Sequence, residues 1–424
     1  MAQTSLTRTP SGAGNRKTWT LSTWVKRSGL GNNIILEANP SGGSSNTNYI
    51  GMLFAGGFQL VVGGWTSNFL ATTQFFRDTS AWYHIVLRVD TTQGTADDRM
   101  RLYINGEQVT SFATRNNPGQ NDDTGLNATV GTFIGKTMDG YMAQTILADG
   151  QSYAPTVFGS TNANGIWVPN SQPSVTYGTN GFKLDFTGTG ASADASGFGA
   201  DSSGNGNHFA SSNLGTNPST TDQCINNFAT YNAVDTSSNI TLSKGNTVAT
   251  ANSNHSASRA SMGLRSGKWY WENKINSVSG GPAVGVIAAS APLANQLNAN
   301  PSRFYRNNGE KYSNGSGSSY GATFTTGDII GVALDMDNGA LYFYKNGTIQ
   351  NSGTAAFTDM ITATTTPWLP AVKLYGEAIS INFGNPSYTI ASGNADANGY
   401  GNFEYAVPSG YYALCTKNLG AYGG

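Results

Sequence analysis

Residues Gly327–Gln350 read GDIIGVALDMDNGALYFYKNGTIQ. Two β-branched and aromatic runs, Ile329 to Leu334 and Leu341 to Tyr344, flank Asp335-Met336-Asp337-Asn338-Gly339, and Asn346-Gly347 opens a third run. Runs this short are strands rather than helices, and Asn-Gly supplies the positive φ angles that a two-residue primed turn requires. The stretch predicts an antiparallel meander.

Two outlying pieces extend it. Gly267-Lys268-Trp269-Tyr270-Trp271-Glu272, followed by Val284-Gly285-Val286, lies upstream, and Ala378-Ile379-Ser380-Ile381-Asn382-Phe383-Gly384 lies downstream. With the meander between them they closely resemble the SPRY domain over roughly Asp235 to Pro386, in the order and spacing that a β-sandwich needs. The resemblance implies a domain that binds through its loops.

At 424 residues the chain has room for two to three domains of about 150 residues. Charged residues make up 11% and the net charge is -1. That balance argues against a nucleic-acid footprint and against a polybasic membrane anchor. The 54 glycines, with abundant Asn, Ser and Thr, suit tight turns between short strands, and 11% aromatics is too rich for disorder. Cys224 and Cys415 stand alone and form neither a ligand cluster nor a disulfide framework; two free thiols are expected, with a single bridge as the alternative. The opening MAQTSLTRTPSGAGNRKTW lacks the apolar run of a signal peptide. No later stretch approaches the ~18 apolar residues of a membrane span, so membrane insertion is not expected.

In the first half, Trp19-Thr20-Leu21-Ser22-Thr23-Trp24-Val25-Lys26 alternates large and small side chains, the pattern of a strand with one face buried. Ile34 to Glu37, Tyr49 to Phe54, Phe58 to Val62 and Trp82 to Val89 read as further strands, and Met100 to Val109 as a hairpin about Asn105-Gly106. This series, with Phe133-Ile134-Gly135 to Met142 as a return strand, resembles the laminin-G or concanavalin-like lectin jelly roll. Gln144-Thr145-Ile146-Leu147-Ala148-Asp149-Gly150 departs from the ending that many members carry. Phe182 to Phe186 reads as a strand, and Asp201 to His208 resembles a loop common in laminin-G-like sequences.

The expected fold is all-β, two antiparallel β-sandwich (jelly-roll) domains in tandem. Residues 1–210 form the lectin-like sandwich, 211–234 a linker, 235–390 the SPRY-like sandwich and 391–424 a C-terminal segment. Runs such as Ser211-Ser212-Asn213 and Asn217-Pro218-Ser219-Thr220-Thr221 bury too little to fold alone.

A jelly-roll glycosidase needs two carboxylates on one strand, close enough for acid and nucleophile roles. None of Glu37, Glu107, Glu272, Glu310, Glu377 and Glu404 has an acidic residue two to four positions away. Asp335 and Asp337 have alternate spacing but belong to a turn, where Asp makes Asx hydrogen bonds. His84, His208 and His255 are too scattered for a metal motif, and His84 reads as an ordinary strand residue. No cofactor is expected, with Ca²⁺ left open at the loop carboxylates Asp97, Asp98, Asp122 and Asp123; solvated loop tips are the favoured reading of these four.

The opening Arg8-Thr9-Pro10 to Trp19, paired with the ending Tyr405 to Leu419, resembles structural proteins of tailed bacteriophages. That resemblance implies a virion protein, assembled in the host cytoplasm beside other virion proteins, and a homotrimer. A tail fibre or other appendage that binds host-surface carbohydrate or protein is the first function considered. A head decoration or head fibre protein that binds virion subunits is the second, and a polysaccharide-degrading enzyme the third. For contact, Arg303, Tyr305, Arg306, Tyr312 and Tyr320 stand out in PSRFYRNNGEKYSNGSGSSY, Pro301 to Tyr320. Its Gly, Asn and Ser predict a surface loop whose rings and arginines suit sugar stacking or a protein anchor.

Overall fold

Two Asn-Gly turns, in different halves of the chain, are built alike. Asn105-Gly106 has φ of 50° and 84°, and Asn346-Gly347 has 48° and 79°, the left-handed pair of a primed hairpin. Each asparagine also ties its hairpin to the adjoining strand. The Asn105 Oδ1 accepts from the His84 N–H at 2.8 Å and the Asn346 Oδ1 from the Ile329 N–H at 2.8 Å, while each asparagine N–H returns a bond to the same partner's carbonyl.

The computed structural model describes residues 4–38, 50–55, 59–64, 69–214, 219–252, 254–293 and 301–423. Tyr49, Phe58 and the Asn217-Pro218 pair lie outside the described residues. The chain divides into two compact units, Met1–Ser219 and Thr220–Gly424.

Unit 1 is a sandwich of an eight-stranded and a six-stranded antiparallel sheet. The six-stranded sheet runs in the order Phe182–Leu184, Gly140–Asp149, Thr18–Arg27, Trp82–Asp90, Met100–Ile104 and Glu107–Gln108. Its inward side chains, among them Trp19, Leu21, Ile85, Leu87 and Leu102, meet Leu36, Met52, Phe54 and Leu70 of the larger sheet. The strands Phe182–Leu184 and Ala210–Ser212 close one edge of each sheet.

The departure at Gln144 is a bulge. Ala143 pairs with Trp24 and Ile146 with Ser22, so three residues span two, and Gln144 takes φ 44°. The extra residue reverses the alternation, which turns Leu147 into the core and leaves Ile146 on the outer face.

The strand Thr18–Arg27 differs from its expected half-solvated pattern, because every residue from Trp19 to Arg27 is buried. The reason is a cover. Tyr153, Val157, Phe158, Val175 and Tyr177 pack on Val86, Tyr103 and Ile146, sealing part of the outer face of the six-stranded sheet. Alternation cannot reveal a third layer supplied by a segment with few strands of its own.

Unit 2 joins a seven-stranded antiparallel sheet and an eight-stranded sheet that is antiparallel except where Tyr412–Ala413 pairs in parallel with Lys268–Ile275. The expected meander forms as Ile329–Asp335, Ala340–Lys345 and Thr348–Ile349, with Lys268–Ile275 and Ala378–Asn382 alongside. Between the sheets lie Trp269, Trp271, Tyr305, Phe343 and Trp368.

The expected linker from Thr220 on and the C-terminal segment are built into this unit, while Ser211 and Ser212 belong to a strand of unit 1. Phe228, Ala229 and Tyr231 are buried, and Tyr231–Thr236 is an edge strand of the seven-stranded sheet. Phe403, Ala413 and Cys415 cover Tyr270 and Ala333 on the outer side of the other sheet. Cys224 and Cys415 are both free thiols. One helix, Thr416–Tyr422, is assigned among the described residues besides short 3-10 turns, and no helix of these residues is long and apolar enough to cross a membrane.

Glu272 ties the C-terminal segment down. Fully buried, its carboxylate accepts the N–H groups of Glu404 at 3.0 Å and Tyr405 at 2.8 Å, and Asn382, Tyr270 and Tyr388 donate from 3.3 to 3.4 Å. Burial pushes its pKa up, and the two backbone amides pull it back. Each buried donor left unpaired costs about 1–3 kcal/mol, so Glu272→Ala should destabilise unit 2 by more than about 2 kcal/mol. Denaturant unfolding is the measurement, with early proteolytic cutting after residue 390 as the accompanying sign; a variant as stable and as resistant as the parent would remove this role.

Candidate functional site

The sequence marked the stretch Pro301–Tyr320 as a surface loop, and here the structure corrects it. The chain forms three paired strands, Ser302–Arg306, Glu310–Ser313 and Ser316–Ser319. Tyr305 is fully buried, its ring lying 5.2 to 5.6 Å from those of Phe343, Phe324 and Tyr320. Its hydroxyl donates to the Ala322 carbonyl. Tyr320 is buried with it.

Arg303 is buried as well, held by Asp359 through two hydrogen bonds and set over the Phe357 and Trp368 rings. These three residues hold the sandwich together and present no contact surface. Aromatic and arginine content alone does not distinguish a binding loop from a strand whose rings fill the core. Arg306 and Tyr312 remain half-buried on the outer side of the sheet.

The four candidate calcium ligands are not brought together. Asp97 pairs with Arg115, Asp98 with Arg101 and Asp123 with Arg16, while Asp122 accepts the Gly119 N–H at 2.7 Å. Among the described residues no three His, Cys, Asp or Glu side chains form a group that could hold a metal ion. Arginines take up the charge that a hard cation would need.

The surface that sequence reading missed is on unit 1. Tyr141, Lys26 and Trp82 lie side by side across three neighbouring strands, on the outer face of the six-stranded sheet that the cover leaves open. The Trp82 and Tyr141 rings are 6.2 Å apart, and the Lys26 ammonium lies 5.2 Å from the centre of the Tyr141 ring. Both rings are half-buried, and Lys26 is fully covered. Two partly exposed aromatic rings, one of them packed on a buried cation, present apolar area with polar edges at the Tyr141 hydroxyl and the Trp82 indole N–H. The signal was present as Trp82 and Tyr141, but their meeting depends on register.

One row inward, Trp24, His84 and Trp167 stack. Ring centres are 4.6 Å apart for Trp24 and His84, and 6.0 Å for His84 and Trp167. Glycine holds the last ring in place, since a Cβ at Gly106 would come within 2.6 Å of the Trp167 ring and one at Gly159 within 2.7 Å.

His84 has a Ser22 hydroxyl 2.9 Å from its Nε2, a pairing that resembles a catalytic one. The opposite nitrogen decides otherwise. The Trp167 Nε1–H donates to His84 Nδ1 at 2.9 Å, and an indole can only donate, so the imidazole proton sits on Nε2 and is given to Ser22. A general base needs that nitrogen bare. The arrangement is suited to holding rings in place.

Burial lowers the His84 pKa from 6.5 to about 3. The unfolded chain therefore takes up a proton that folded unit 1 refuses between these values. The stability this group contributes is present above pH 6.5 and is lost as pH falls toward 3, by up to about 5 kcal/mol. His84→Gln should flatten that part of the stability–pH curve for unit 1; an unchanged slope would show that His84 protonates freely in the fold.

Comparison with known proteins gives two matches along the chain. Residues 2–149 match the concanavalin A-like lectin/glucanases superfamily, and residues 268–386 match the SPRY domain. Ran-binding protein 9 of Danio rerio is 33% identical over 132 residues, covering 29% of this chain and 21% of that protein. Ran-binding protein 10 of Danio rerio is 34% identical over 132 residues, covering 29% and 20%. The chain thus spans about a fifth of the length of these curated relatives. The SPRY domain of human HERC1 is similar with 26% identity and a TM-score of 0.31, over 36% of this chain and 96% of that one. The chain carries a concanavalin-like domain followed by a SPRY domain.

Proposed function

We propose that this chain is a non-enzymatic binding protein of a bacteriophage virion surface, a tail fibre or other appendage that engages host-surface carbohydrate or protein. The observation that carries the binding reading is the open Trp82–Tyr141 pair over Lys26 on the lectin-like unit. Paired, partly exposed rings suit the apolar face of a sugar. The proton held on His84 Nε2 supports binding over hydrolysis at the Ser22–His84 contact.

Placement on a virion is supported by the resemblance of both chain ends to tailed-phage structural proteins. The relatives named above are animal Ran-binding proteins, matched over about a fifth of their length. Assembly as a homotrimer fits the same reading, because cyclic symmetry multiplies weak single-site contacts. A head decoration role is the second reading, favoured by the same end segments, since they bear on virion membership rather than on location.

Purified chain should block adsorption of the particle to its host, and cryo-EM of the particle should place it on the tail. Trp82→Ala with Tyr141→Ala should weaken that block more than tenfold, about 1.4 kcal/mol, in a protein that still folds. Density on the head with adsorption unaffected would select the second reading. A chain absent from the particle would overturn both.

A further inference from the structure

Arg306 and Lys373 are neighbouring cations of unit 2 without an ion-pair partner among the described residues. Arg306 and Lys373 flank Ala283 in one cross-strand row of the seven-stranded sheet, about 10 Å apart at two strand spacings. Lys373 is 1% exposed. Its ammonium makes one bond, to the Gly281 carbonyl at 3.4 Å.

Arg306 donates to the Tyr312 hydroxyl at 3.4 Å and lies 5.6 Å from the centre of that ring, while its buried Nε has no partner. Among the described residues neither cation forms an ion pair, unlike Arg259, Lys268, Arg303 and Lys345 of the same unit. An ammonium with three donors, buried with one long bond, is short of acceptors.

The surroundings supply an opposing charge but, among the described residues, no second hydrogen bond to Lys373. Glu377, whose charge acts on Lys373 and His255, accepts the Gly280 and Tyr375 amides. Gly281, at φ 94°, runs so close that a Cβ there would lie 2.6 Å from the Arg306 guanidinium. Beside this loop the exposed His255 packs on Tyr375, ring centres 4.6 Å apart, and Tyr375 itself is 37% exposed.

We propose that this end of the SPRY domain binds the carboxylate of a hexuronate-bearing glycan, with Arg306 and Lys373 holding the anion and the His255–Tyr375 pair packing on the pyranose. The flat rings beside the charges suit a sugar's apolar face. A peptide gains nothing comparable here, because the strand that carries Arg306 is already paired on both sides and offers no free edge. His255 adds a third positive charge when protonated. The groups that act on it are Lys373, Arg306 and Glu377, and a bound carboxylate offsets the first two. The inference deepens the binding reading above and rests on it.

Calorimetric titration of the full chain tests it, with trigalacturonate as the probe, its methyl ester as neutral control and triglutamate as a peptide-borne carboxylate. Trigalacturonate should bind at least tenfold more tightly than either control. Arg306→Gln and, separately, Lys373→Met should each weaken it at least tenfold in protein with an unchanged circular dichroism spectrum. Affinity should rise between pH 7.5 and 5.5, and His255→Gln should remove the rise. Absence of binding, equal binding of the ester or of triglutamate, or indifference to both Arg306→Gln and Lys373→Met would overturn the proposal. No host or particle enters the measurement, so failure here leaves the adsorption result standing.

Discussion

A carboxylate taken out of water is costly unless hydrogen-bond donors replace the water, and this chain meets that requirement with amides. Asp149 in unit 1 is 4% exposed and Asp396 in unit 2 is 6% exposed. Asp149 accepts the backbone N–H groups of Asn15 and Asn180 and the Asn127 side chain. Asp396 accepts those of Asn398, Tyr400 and Ala413 and the Asn418 side chain. With Glu272 they form a set of buried acids, none ion-paired among the described residues. Each gathers loops that are distant in sequence, and each needs its donors as much as they need it. In a chain with so few charges, fixed amides do what lysines and arginines do elsewhere.

The consequence is that segments with little regular structure are ordered as covers. Both units leave an outer sheet face that a simple sandwich would expose to water. Residues 153–177 close part of one and residues 403–415 part of the other. What a cover leaves open becomes the available surface, as at Trp82 and Tyr141. The proposed binding surface lies where the third layer stops.

The strands were legible because their signals are local. Asn346-Gly347 and Asn105-Gly106 fix their own turns, and alternation in Trp19 to Lys26 marks a strand wherever it ends up. The covers were not legible, since the value of Asp149 or Glu272 lies in amides more than a hundred residues away for Asn15 and Glu404. Burial of Arg303 and Tyr305 was hidden for the same reason, because Asp359 lies in a loop and Phe343 in another strand. The candidate surface on unit 1 was visible only as separate aromatic residues. Register across three strands, which composition does not carry, brings Tyr141 and Trp82 to opposite sides of Lys26.

Native-state hydrogen exchange reads the amide-to-carboxylate account most directly. The N–H groups of Asn15, Asn180, Glu404, Tyr405 and Ala413 all point at buried carboxylates, and most lie outside the regular strands. The account predicts that they exchange as slowly as amides in the middle of Thr18–Arg27 and Lys268–Ile275, through global opening of each unit. Exchange of these amides at the rate of exposed loops, while the strand amides stay protected, would contradict it.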